Sequence, residues 1–129
     1  MKGLNIVIAE DDAIIRMYLV QLLEGVGHKI VGTAATGKGV IEEVGDNKPD
    51  ILLLDIGLKG DLDGIQTAIV VQEEFSTPLI FISGNSDRLR NEVKHTNIEP
   101  VATFVKPIDE QTLLSVLKDF SAEKNNSSE

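Results

Sequence analysis

Ile51-Leu52-Leu53-Leu54-Asp55 is the most apolar strand-like run in the chain, and it stops on a carboxylate. A short, unbroken apolar run behind the punctuation of Pro49 reads as a strand buried on both faces. Burial on both faces is the mark of a parallel sheet covered by helices. Outward from this run, the same signature recurs at Asn5–Ala9 and Lys29–Ala34 on one side, and at 79–82 and 103–105 on the other. Between the strands the apolar period changes to that of a helix. Residues 13–26 repeat Ile15, Leu19, Leu22, Leu23 and Val26 at helical spacing before Gly27 stops them. Residues 37–44 carry Val40, Ile41 and Val44 on one side, and residues 65–75 carry Ile65, Ala68, Ile69 and Gln72. Residues 87–96 form a polar, weakly anchored helix with only Leu89 and Val93. Asp109 can cap a last helix striped by Leu113, Val116, Leu117 and Phe120. Residues 57–64, with three glycines, read as a loop.

Strand and helix therefore alternate five times. The expected fold is α/β: a five-stranded parallel sheet of flavodoxin-like order 2-1-3-4-5, with helices on both faces. One domain is expected over residues 1–122, followed by a polar tail over 123–129 that is expected to be disordered.

In such a sheet ligands bind beyond the carboxyl ends of the strands, at the crevice between strands 1 and 3. The strand ends here carry Glu10, Asp11 and Asp12, then Asp55, then Ser83, then Lys106-Pro107. Taken singly, each has an ordinary reading as a helix cap, a turn or a loop residue. Their joint placement on one rim is what points to chemistry. Crowded carboxylates from Asp11 and Asp55 repel each other, and a hard divalent cation with oxygen ligands relieves that. Lys106 matches phosphate oxygens, and Ser83 offers a hydroxyl donor. The set describes phosphoryl transfer: a carboxylate nucleophile, a cation and two neutralising groups.

These residues resemble the response-regulator receiver family of two-component signalling, from Leu4 to about Phe120. Ile6-Val-Ile-Ala-Glu10-Asp11-Asp12 is similar to its first strand and acidic pair, Leu52-Leu-Leu-Asp55 to its phosphoacceptor strand. Ile80-Phe-Ile-Ser83-Gly84 and Phe104-Val-Lys106-Pro107 are similar to the strands that end in a hydroxyl and in Lys-Pro. The resemblance implies that Asp55 accepts a phosphoryl group and that Asp11 binds Mg²⁺ directly, with Glu10 acting through water. It implies that Gly57 gives its backbone carbonyl to the metal, that Ser83 and Lys106 contact the phosphoryl group, and that Lys106–Pro107 is cis. It implies a sensor histidine kinase or phosphotransfer protein as donor. The signalling surface would be the fourth helix, fifth strand and fifth helix, a face that could also pair two copies as a homodimer.

Three departures from the family pattern stand out. Lys59 replaces a loop proline, and Gly64 falls one residue later than the usual glycine, so the loop holds an insertion. Thr103 stands at the switch position that is commonly aromatic, with Phe104 one later. Gly57 and Asn85 occupy positions that influence phosphoryl lifetime, and Gly57 has no side chain to act on water.

Composition narrows the alternatives. A net charge of −9 argues against direct nucleic-acid binding. The absence of cysteine excludes disulfides, thiolate zinc sites and cysteine nucleophiles, and it fits the expected cytoplasmic location. No apolar run approaches the ~18 residues of a membrane span, and the N-terminus does not read as a signal peptide. His28 and His95 are expected at the surface. Among enzymes of this fold class, a flavin site would place phosphate against Glu10–Asp12, a P-loop is missing, and a dehalogenase-like phosphatase would carry an aspartate where Gly57 stands. The remaining alternative is a receiver-like scaffold that binds partners without being phosphorylated.

Overall fold

The computed structural model describes residues 3–58 and 60–127. Lys59, the residue standing in place of the loop proline, lies outside the described residues. The elements are β1 (Asn5–Ala9), α1 (Ala13–Gly25), β2 (Lys29–Ala34), α2 (Gly37–Asn47), β3 (Ile51–Asp55), α3 (Gly64–Phe75), β4 (Leu79–Ser83), α4 (Ser86–Lys94), β5 (Ala102–Val105) and α5 (Glu110–Ser127). All strand pairs are parallel, and the order is β2-β1-β3-β4-β5, as expected. The order reverses between β1 and β3, so the crevice at their carboxyl ends is where the fold opens a site.

Successive side chains of a strand point to opposite faces, and the central strands use that alternation to build two cores. Val7, Leu52, Leu54 and Phe81 pack on one face against Val40 and Val44 of α2, Ala68 and Val71 of α3, and Leu89 of α4. Ile6, Ile8, Leu53, Ile80 and Ile82 pack on the other against Leu19 and Leu23 of α1 and Leu113 and Leu117 of α5. All of β3 is buried, which accounts for its unbroken apolar sequence. Truncating one such side chain, as in Leu53→Ala, costs about 2–5 kcal/mol.

Caps define the helix starts. Asp12 accepts from the Ile14 and Ile15 amides at 2.9 and 3.2 Å. Asp63 and Gln66 form a reciprocal capping box on α3. Asn85 accepts from the Asp87 and Arg88 amides at 3.0 Å, and Asp109 from the Thr112 amide at 3.2 Å.

Two expectations are corrected. Helix α5 runs to Ser127, so residues 123–127 of the expected disordered tail are helical, and 128–129 lie outside the described residues. Extending an existing helix adds one hydrogen bond per ordered residue and needs no new nucleus. Lys124 also ties this end down, with Nζ 3.3 Å from Asp50 Oδ1. His28, expected at the surface, is only 6 % exposed. Its Nδ1 accepts the Leu4 amide at 3.1 Å, a partner that only the folded chain supplies.

Candidate functional site

Backbone hydrogen bonds align the strand ends before any side chain is considered. The Ile56 amide donates to the Ile82 carbonyl at 2.9 Å, and the Lys106 amide to the Ser83 carbonyl at 2.8 Å. The Glu10 amide donates to the Ala34 carbonyl at 3.0 Å. These bonds lock the ends of β3, β4 and β5 side by side, and the end of β1 beside β2. The residues predicted on the rim therefore share it.

Asp55 is 5 % exposed at the floor of the crevice. Its Oδ1 accepts the Gly57 amide at 2.8 Å, and its Oδ2 lies 2.9 Å from Lys106 Nζ. The same ammonium stands 2.7 Å from Glu10 Oε1, and Glu10 is 1 % exposed. That second contact is a charge pair, since Oε1 accepts no well-angled hydrogen bond. Burial pushes the Glu10 carboxyl up to about 7; Lys106 opposes the rise, and Asp55 adds to it. Lys106 is held above its ordinary value, because its two carboxylate partners outweigh the burial that works against its charge.

Carboxylate oxygens of Glu10, Asp11 and Asp55 all lie within 4.8 Å of one another. A buried oxygen without an aligned donor, in a cluster of hard oxygen donors, fits Mg²⁺ or a comparable cation better than a soft metal. Asp12 belongs to α1 instead, because its side chain is spent on the helix cap.

Gly57 leaves the approach to Asp55 open: a Cβ there would stand 3.2 Å from Asp55 Oδ1. The insertion in the following loop is absorbed before α3. Ile56 and Leu58 are buried, and Gly60 takes a positive φ of 111°. Gly64 then packs so close that a Cβ would stand 2.2 Å from Ile56 Cα and 2.6 Å from the Asp55 carbonyl oxygen. The late glycine thus abuts the strand end that carries Asp55.

Ser83 is buried, and its hydroxyl exchanges hydrogen bonds of 3.0 Å with the Asn85 carbonyl and amide. The Lys106–Pro107 peptide is cis. Thr103 and Phe104 separate by strand alternation. Phe104 enters the core shared with α1 and α5. Thr103 lines a groove of about 450 Å³ between α4 and β5, with Leu89, Arg90, Val93, Lys94 and Val105. Only Thr103 of the two faces α4. Sequence reasoning missed Arg16, whose Nη1 donates to the Glu10 carbonyl at 2.6 Å. Its spacing, six residues after Glu10, carries no signal until α1 folds back over the strand end.

A family model described as the response regulator receiver domain matches residues 6–118. The chain belongs to that family. It is 30 % identical over 114 residues to the transcriptional regulatory protein PdtaR of Mycobacterium tuberculosis, covering 88 % of this chain and 55 % of that protein. It is 29 % identical to the phyllosphere-induced regulator PhyR of Methylorubrum extorquens, covering 88 % of this chain and 42 % of that one. The chain thus spans about half the length of these curated relatives. Among solved structures, the signal receiver domain of a modulated diguanylate cyclase from Desulfovibrio desulfuricans matches with a TM-score of 0.85 at 28 % identity, covering 98 % of this chain and 99 % of that one. The receiver domain of Erythrobacter litoralis PhyR matches at 0.79 and 33 % identity, over 93 % and 91 %. Receiver domains are signalling modules of two-component systems, and no helix among the described residues is long and apolar enough to cross a membrane.

Proposed function

We propose that this receiver domain is a phosphoacceptor switch, with Asp55 as the acceptor. The observation that carries the reading is the Asp55 carboxylate itself. It is buried at a strand end, paired to Lys106 and grouped with the Glu10 and Asp11 oxygens. Asp11, Asp55 and the Gly57 carbonyl would hold Mg²⁺, with Glu10 acting through water, and the bound ion would supply charge neutralisation for the entering phosphoryl group. An Asp55 oxygen forms the new bond to phosphorus as the bond from phosphorus to the donor breaks, leaving an acyl phosphate and the departing imidazole or acetate. Lys106 is placed to meet one phosphoryl oxygen. Ser83 can meet another once its hydroxyl leaves Asn85.

The donor is a sensor histidine kinase, a phosphotransfer protein or a small acyl phosphate in the cytoplasm. A protein donor would dock on α1, where Ile14 and Met17 are 81 % and 62 % exposed. A groove of about 480 Å³, lined by Ile15, Tyr18, Lys106, Pro107 and Ile108, leads from there to the ammonium. The output face is α4, β5 and α5, for a protein partner or a second copy of the chain.

Acetyl phosphate with Mg²⁺ should add one phosphoryl mass to the intact protein, and Asp55→Asn should abolish it. A wild-type protein that gains no mass with any phosphodonor, yet still binds its partner, would establish the scaffold reading instead.

A further inference from the structure

We propose that Arg16 is a positioning residue for the cation site: its guanidinium holds the turn that presents Asp11. The inference rests on the cation-assisted reading above and adds a residue to it.

The turn 10–12 is tied through Glu10 and Asp12 on either side of Asp11. The Glu10 amide is taken by Ala34 at 3.0 Å. Glu10 Oε2 accepts the Asp12 amide at 3.2 Å, and Oε1 faces Lys106. Asp12 Oδ1 is committed to the start of α1. The Glu10 carbonyl lies just beyond the last paired residue of β1, where no backbone amide among the described residues reaches it. Arg16 Nη1 fills that gap at 2.6 Å. A buried carbonyl left without a donor is costly, and a charged donor gives the stronger class of hydrogen bond. The Asp11 side chain, by contrast, makes no hydrogen bond or ion pair among the described residues, so only its backbone aims it. Arg16 fixes the carbonyl of the peptide unit that leads directly into Asp11.

Charge and geometry predict opposite signs for the loss of this side chain. As a mere point charge near three carboxylates, Arg16 would repel an incoming cation, so neutralising it would tighten Mg²⁺ binding. As a positioning group, its loss would let the turn drift and would weaken binding, by about 10–100-fold on the scale seen for groups that orient metal ligands.

The test measures Mg²⁺ affinity by calorimetry on the whole chain as wild type, Arg16→Gln and Arg16→Lys. Amide hydrogen exchange is followed at Glu10, Asp11 and Asp12 in chelator. Arg16→Gln, which removes the charge, is expected to bind Mg²⁺ at least ten-fold more weakly and to exchange faster at these amides without metal. Arg16→Lys keeps the charge but lacks the planar fork, so it should recover part of both. Equal or tighter binding by Arg16→Gln, or unchanged exchange in the turn, overturns the proposal. Absence of Mg²⁺ binding by the wild type overturns the cation-site reading as well, which separates the two failures.

Discussion

Lys106 Nζ sits 2.9 Å from Asp55 Oδ2, on the carboxylate that the proposed chemistry must free. In the absence of a cation this ammonium is shared between Asp55 and Glu10. It therefore competes with any metal for the same oxygens. Lys106→Ala should raise Mg²⁺ affinity several-fold, opposite in sign to the loss of Arg16. Calorimetry decides it: an unchanged affinity would mean that the ammonium steps aside without cost, and a lower one that Lys106 supports the site instead of competing for it.

The buried Glu10 carboxyl, pushed up to about 7, holds its proton more tightly than an unfolded glutamate at 4.5. The folded state then binds more protons than the unfolded state between those values, so this group's contribution falls as pH rises from about 4.5 to about 7. Glu10→Gln removes the buried charge and should raise the melting temperature in chelator at pH 8 by a few degrees. At pH 4 the effect should be small. Equal gains at both pH values would assign the effect to packing rather than charge.

His28 titrates in the opposite sense. Burial pushes its pKa below the ordinary 6.5, while Nδ1 accepts the Leu4 amide. The unfolded chain takes up a proton first as pH falls, so the stability His28 contributes is present above about 6.5 and drains away below it. His28→Asn keeps an acceptor near the Nδ1 position. In melts from pH 7.5 to 5.5, the variant should lose less stability than the wild type, and a parallel decline would exclude His28 as the source.

Gly64 has no room for a methyl group, because its Cβ would strike the backbone of Ile56 and the Asp55 carbonyl. Gly64→Ala should destabilise the fold by about 1–3 kcal/mol and slow phosphorylation, since the displaced atoms belong to the acceptor strand end. Gly25 offers the control: a Cβ there meets nothing within 4 Å. Gly25→Ala should leave the phosphorylation rate, read by intact mass, unchanged, while Gly64→Ala should lower it.

Helix α4 is anchored by buried Leu89, and its two ion pairs, Arg88–Glu92 and Arg90–Asp87, join exposed or half-exposed partners. Exposed pairs of this kind contribute about 0–1 kcal/mol, so the helix should shift easily. Beryllofluoride, a phosphoryl mimic, should draw Ser83 from Asn85 and move amide NMR signals most between Ser83 and Thr96 and around Thr103. Changes concentrated in α1, with α4 silent, would contradict this.

The order of elements, the both-face burial of β3 and the residues on the rim were all legible in the sequence. Strand burial imposes an apolar run, helix amphipathicity imposes a 3.6-residue period, and strand ends in a parallel sheet share one edge. Those are local rules, and Asp55, Asp11, Ser83 and Lys106 follow from them. What only the tertiary structure decided are contacts between segments distant in sequence. Lys106 pairs with Glu10 and Asp55 because β5 and β1 flank the central strands. His28 is buried because its ring meets the Leu4 amide, 24 residues away. Gly64 plays its part despite arriving one residue late, since the loop takes up the extra length before α3 begins. Thr103 and Phe104 point to opposite faces of β5, Thr103 into the groove against α4 and Phe104 into the core shared with α1 and α5, because strand placement, invisible in two adjacent letters, assigns each to a side.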